Sequence, residues 1–151
     1  MTQEDKESLL KDLCARLPYG VKCCIYNFGE DIVRIKEDVL WSVQGDNILT
    51  LKSYVEKGEA YMYHQIRPYL FPLSSMTERQ KEELNKKFNV QFLGNTIYSI
   101  HYHSEGCWDT DLELDLQDWL WFINWCYKNH FDIYGLIPMG LAIDATGLNI
   151  Y

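Results

Sequence analysis

Leu9, Leu10, Leu13 and Leu17 recur at helical spacing between Glu4 and Leu17, and Pro18, Tyr19 and Gly20 break the pattern. The spacing predicts a short amphipathic helix. From Val21 to Phe28 the period changes to two, with Val21, Cys23 and Ile25 on one face and Lys22, Cys24 and Tyr26 on the other, as in a strand. A second β stretch is expected over Ile32 to Ile35, ending at Lys36. Val39–Val43 and Ile48–Leu51 flank Gln44, Gly45, Asp46 and Asn47, whose Gly-Asp centre suits a hairpin turn. Ala60 to Ile66 reads as a further strand closed by Arg67-Pro68, because a proline removes a ladder donor; Tyr69 to Ser75 then forms an ordered connection.

Both Thr77…Gln80 and Ser75…Glu78 fit a capping box, so a helix is predicted from near Thr77 to about Phe88. Leu84 and Phe88 are its apolar positions, while Glu82/Lys86 and Glu83/Lys87 are favourably ordered pairs on a surface helix. Asn89–Leu93 and Thr96–His103 flank Gly94-Asn95, a two-residue hairpin signal, with Tyr98, Ile100 and Tyr102 on the buried face and His101 and His103 on the other. Asp111, Glu113 and Asp115 alternate with Leu112, Leu114 and Leu116 in the manner of a strand with one wet face. A helix follows, with Asp115 as N-cap and Lys128 near its end. In it Leu116, Trp119, Leu120, Ile123 and Tyr127 make the expected core stripe. The tail from Asn129 is apolar but punctuated by Gly135, Pro138 and Gly140, predicting turns and one short helix or strand. Together these elements predict one α+β domain over residues 1–151, a largely antiparallel sheet of meanders and hairpins with about three helices packed on it.

The apolar fraction of 47% and aromatic fraction of 15% are those of a chain that folds. The N-terminus lacks a basic stretch followed by an apolar core, and no uninterrupted apolar run reaches the ~18 residues of a membrane span, so a cytoplasmic location without a membrane is expected. Five cysteines with no C-x-x-C pair are expected to be reduced, most of them in the core. Charge is uneven: Glu105, Asp109, Asp111, Glu113, Asp115 and Asp118 lie between residues 89 and 127 without a single Lys or Arg, and account for most of the net charge of −8. That balance disfavours a phosphate-tracking surface, and the helix carrying Lys81, Lys86 and Lys87 is neutralised by Glu78, Glu82 and Glu83, so direct nucleic-acid binding is not expected.

Three phrases, Leu13 to Val21, Arg67 to Glu78 and Asn129 to Ala142, together resemble a family of small uncharacterised proteins from prophage-like and mobile regions of intestinal anaerobic bacteria. The resemblance covers about a quarter of the chain. It implies a bacterial cytosol shared with a mobile element, and it assigns no reaction and no catalytic residue.

His101 and His103, with Cys107 and Asp109 beyond, form the best metal-like cluster, since alternate strand positions put both imidazoles on one face. No second cysteine pair or histidine motif completes the set, and the bland alternative is two exposed strand histidines beside a buried cysteine. Asp109, Asp111 and Glu113 mimic the start of a calcium loop, but Leu114 stands where glycine is needed and Leu120 where a bidentate glutamate is needed. Cys107 with His103 has an acidic neighbourhood unsuited to a thiolate, and no phosphate loop occurs. Trp121 and Trp125, one turn apart, are either covered by the C-terminal segment and the sheet or left partly exposed for a partner. The leading expectation is a non-enzymatic accessory protein that needs no cofactor and binds another macromolecule, or itself, through Trp121, Trp125, Asp109, Asp111 and Glu113. The alternative is a metal-dependent hydrolase-like enzyme built on His101, His103, Cys107 and Asp109.

Overall fold

In the computed structural model, the residues described are 1–25, 37–44, 48–52, 61–88, 90–93, 96–99, 101–102, 108–109 and 116–151. They make an α+β fold whose chain gathers into two compact units, one of Met1–Pro72 with Trp125–Tyr151 and the other of Leu73–Asn124.

The larger unit begins with α1, Gln3–Arg16. Thr2 caps it: its hydroxyl accepts from the Asp5 amide at 3.1 Å, and its own amide donates to the Asp5 carboxylate at 2.7 Å. A 3-10 turn, Leu17–Tyr19, ends at Gly20, whose φ of 65° is the left-handed conformation that glycine adopts without strain. The strands are β1 (Lys22–Ile25), β2 (Glu37–Gln44), β3 (Ile48–Leu51), β4 (Tyr61–Met62), β5 (Ile66–Leu70) and, after the second unit, β10 (Ile143–Asp144). They form one sheet in the order β10-β5-β1-β2-β3-β4, antiparallel except for β10 against β5.

The expected helix and hairpin are present, with Gln44 opposite Ile48 and a register shift between Leu40 and Ser42 that leaves Trp41 exposed. The expected second β stretch at Ile32–Ile35 lies outside the described residues. Two expectations change. The strand expected over Ala60 to Ile66 is split, with Tyr61–Met62 in β4, Tyr63–Gln65 in a 3-10 turn and Ile66 opening β5, which runs on through Pro68, opposite Cys23, into the expected connection. A proline fits there only if its nitrogen faces away from β1, and on that side β10 begins pairing at Tyr69, so no ladder donor is missed. The second change concerns β1, which is covered on both faces. Cys23 and Ile25 join Leu9, Leu13, Leu40, Leu51 and Ile66, while Cys24 packs on the other side with Tyr69, Ala145 and Ile150.

Inside this unit lies a charged pair. Arg16 and Asp12, both fully buried on α1, are joined at 2.7 and 2.8 Å, and the same guanidinium donates to the Phe131 carbonyl at 2.6 Å. The Tyr127 ring lies 5.1 Å from the guanidinium carbon. Burial raises the Asp12 carboxyl above its ordinary value, and the Arg16 hydrogen bonds oppose that shift.

The smaller unit holds α2 (Glu78–Phe88), a hairpin of β6 (Val90–Leu93) and β7 (Thr96–Ser99), a short ladder of β8 (His101–Tyr102) and β9 (Trp108–Asp109), and residues 116–124 of α3 (Leu116–Lys128). Of the two possible capping boxes, Thr77 with Gln80 forms: Thr77 N–H donates to Gln80 Oε1 at 2.9 Å, and Gln80 N–H to Thr77 Oγ1 at 3.3 Å. Leu93 stands opposite Thr96, the register a two-residue turn imposes. Of the single strand expected over Thr96–His103, β7 pairs with β6 and β8 with β9, while Ile100 and His103 lie outside the described residues. Among the described residues no helix is long and apolar enough to cross a membrane.

Replacing Asp12 by alanine strands the Arg16 charge in the core, and urea unfolding is expected to show a loss of about 3–5 kcal/mol. The double replacement Asp12→Leu with Arg16→Met removes both charges and is expected to recover most of that loss.

Candidate functional site

α3 is apolar around most of its circumference, so its sequence permits more than one buried face. In the smaller unit the inward face is set by α2. Phe88 meets Trp121 edge-on at 5.3 Å between ring centroids and Phe122 at 6.5 Å, while Lys87 Nζ binds Asp118 at 2.6 Å. Lys87 therefore reaches across to α3 rather than along its own helix to Glu83. These contacts select the face of Asp118, Trp121 and Phe122, which Trp125 continues at 3, 4 and 7 spacing in sequence.

The consequence inverts the expected core assignment at the start of the helix. Leu116, Trp119 and Leu120, expected inside, are 71%, 45% and 47% exposed. Ile123 is half-buried and Tyr127 is buried, so the expected stripe holds only toward the C-terminal end. Of the two tryptophans placed on the candidate partner face, Trp121 is half-buried against Phe88. Trp125 is 5% exposed and stacks on Phe131 at 5.5 Å, which takes it out of an accessible face and into the core. The exposed indole of α3 is Trp119, which contacts Phe122 edge-on at 6.2 Å.

The remaining predicted residues divide in two. Asp111, Glu113, His103 and Cys107 lie outside the described residues, as does the proposed cap Asp115. His101 and Asp109 lie within them and stand directly opposite each other in the β8–β9 ladder, with Tyr102 opposite Trp108. Among the described residues no group of three or more His, Cys, Asp or Glu is placed to hold a metal.

A second polar cluster, in the larger unit, was missed by sequence reasoning. α3 ends with the His130 amide donating to Tyr127 O at 3.1 Å and the Phe131 amide to Cys126 O at 2.9 Å, the paired bonds of a Schellman ending. His130 holds the left-handed position of that ending at φ 58°, where glycine is usual. The residue is 9% exposed, its ring stacks on Tyr151 at 3.9 Å, and its Nδ1 has no hydrogen-bond partner among the described residues. Burial, with Arg16 adding to it, holds the imidazole pKa down at about 4, so the ring is neutral at neutral pH. The nearby thiols are equally poor in reactivity: burial pushes Cys126 up to about 12 and Cys23 higher still. The chemistry available here is that of a neutral, packed junction. Its sequence signal was the pair Asp12 and Arg16 on the Leu9–Leu13 face of α1.

Burial reverses the roles expected for Trp119 and Trp125. Trp125→Ala is expected to destabilise by about 3–5 kcal/mol in chemical unfolding, whereas Trp119→Ser is expected to cost about 1 kcal/mol or less.

Comparison with models of protein families, with curated proteins and with solved structures gives no match to this chain.

Proposed function

We propose that this is a non-enzymatic binding protein that docks a protein partner through Leu116, Trp119 and Leu120 at the start of α3. The observation that carries the reading is the exposure of three large apolar side chains within two helical turns, one of them an indole, the side chain most often at the energetic centre of an interface. The acids of residues 89–127 border this helix in sequence without a basic residue among them, which favours a partner whose apolar contact is ringed by Lys and Arg. The resemblance to proteins of mobile elements fits an accessory role in a bacterial cell, in which the acidic surface occupies a basic host or phage protein. A second copy of the chain is the less favoured partner, because two chains of net charge −8 repel.

The test uses a helical peptide of alternating Lys/Leu faces and its Glu/Leu counterpart, read by intrinsic tryptophan fluorescence at low and high salt. The Lys/Leu peptide is expected to bind, to weaken as salt rises, and to lose roughly thirtyfold in affinity with Trp119→Ser and Leu120→Ser combined, the size of an interface hot spot. Binding that ignores salt, or that survives the double replacement, overturns the proposal. Sedimentation velocity on the same proteins separates self-association, which the double replacement would abolish without any peptide.

The pairing of His101 with Asp109 supports a second reading, in which these two residues, with His103 and Cys107 from the intervening sequence, hold a divalent metal for hydrolytic chemistry. Freshly purified protein would then contain about one equivalent of transition metal by elemental analysis, lowered by His101→Ala; sub-stoichiometric metal removes the basis of this reading.

A further inference from the structure

His130 sits where three parts of the larger unit are fastened together. Its carbonyl accepts from the Phe71 amide at 2.9 Å, and the Asp132 amide returns a bond to Phe71 O at 2.8 Å, so residues 130–132 lie as a parallel bridge on the end of β5. Its ring carries Tyr151. That tyrosine donates to Tyr69 O at 2.9 Å and accepts from the Lys22 amide at 3.1 Å, while Lys22 Nζ binds the Ile150 carbonyl. The stack thus ties residues 150–151 to both β1 and β5.

We propose that His130 is an acid-operated latch: protonation of its imidazole opens the junction that holds residues 130–132 and 150–151 against β1 and β5.

The groups around the ring make the charged form costly. Arg16 of α1, with Asp12 bound to it, acts on the ring electrostatically, Tyr151 stacks on it with its hydroxyl held by the Lys22 amide, and Asp132 lies two residues along the chain. Arg16 is a fixed cation, and an imidazolium beside it would be a second positive charge in the same buried space. Neither acid is free to neutralise it. Both Asp12 oxygens hold Arg16, and the Asp132 oxygens accept from the Leu136 and Ile137 amides, each at 2.8 Å. The left-handed backbone at His130 adds strain that opening relieves.

The direction with pH follows from linkage. The folded-state pKa of about 4 lies below the ordinary 6.5, so the open form binds the proton more readily. The latch is fully closed above pH 6.5 and loses hold as pH falls toward 4, with the opening constant rising at most about tenfold per pH unit in that window.

Hydrogen exchange of the Phe71, Phe131 and Asp132 amides, corrected for intrinsic rates, reads the opening directly. From pH 6.5 to 5 the wild-type opening constant is expected to rise about fifteenfold. His130→Asn keeps a side chain that tolerates positive φ but cannot be protonated, and its opening constant is expected to change less than threefold. An equal acid response in the variant overturns the proposal, and so does a flat response in the wild type. Should the variant fail to fold, NMR titration of the His130 ring in the wild-type protein decides: a pKa below about 5 supports the latch, and one at or above the ordinary value of 6.5 overturns it.

Discussion

The arrangement of the larger unit depends on the bond from Arg16 to the Phe131 carbonyl. A guanidinium fully out of water is tolerable only when its donors and its countercharge are placed for it. Asp12, one turn back on the same helix, supplies the countercharge through two bonds and needs no tertiary structure to do so. The third bond does need it. Its 2.6 Å length fixes where the chain must pass after α3, and everything after that point follows: the Schellman ending, the left-handed His130, the bridge of residues 130–132 to Phe71, and the approach of β10 to β5. The pair is best understood as specifying a position rather than as a large net gain in stability, since an apolar pair of similar volume would avoid the desolvation cost but would place no carbonyl.

Elements whose cause is local were readable from sequence. α1 announces itself by leucine spacing, α2 by its capping box and the Leu84–Phe88 pair, with Thr2 and Thr77 at their starts, and the pairing of Leu93 with Thr96 by Gly94-Asn95 between them in sequence. Elements whose cause is distant were not. Whether Pro68 ends a strand or sits inside one depends on which neighbour its nitrogen faces, and that neighbour is β10, formed by Ile143 and Asp144 far along the chain. The double coverage of β1 has the same origin: Cys24 reads as a wet-face position until Ala145 and Ile150 are brought over it.

The misplaced face of α3 is the most instructive difference. Two stripes at 3, 4 and 7 spacing compete on this helix, Leu116-Trp119-Leu120-Ile123 and Asp118-Trp121-Phe122-Trp125. Reading hydrophobicity alone prefers the first, because a carboxylate interrupts the second. The carboxylate is there to be paired: Lys87 reaches Asp118, and Phe88 beside it packs on Trp121 and Phe122, so a charged residue at the head of the stripe marks the seam. The same error hid the buried pair on α1, where Asp12 and Arg16 share the face of Leu9 and Leu13. In both helices the charged residue on the inner face was the signal, and its partner in space gave it meaning.

For a docking surface at Leu116, Trp119 and Leu120, apolar area and acidic charge answer different needs. Exposed leucine and tryptophan attract almost any apolar surface, so by themselves they would favour association with a second copy. Net charge changes the balance by repulsion, since two copies of a chain carrying −8 would bring like charge together across a desolvating interface, at a cost of several kcal/mol. One of the acids, Asp118, is already neutralised by Lys87 and belongs to the seam. The others, Asp109 and the acids that alternate with leucines up to Asp115, have no basic residue among them in sequence from 89 to 127. In the proposed role, a surface of that composition would reject its own kind while remaining open to a basic partner, so the distribution of charge along the chain would matter more than its total.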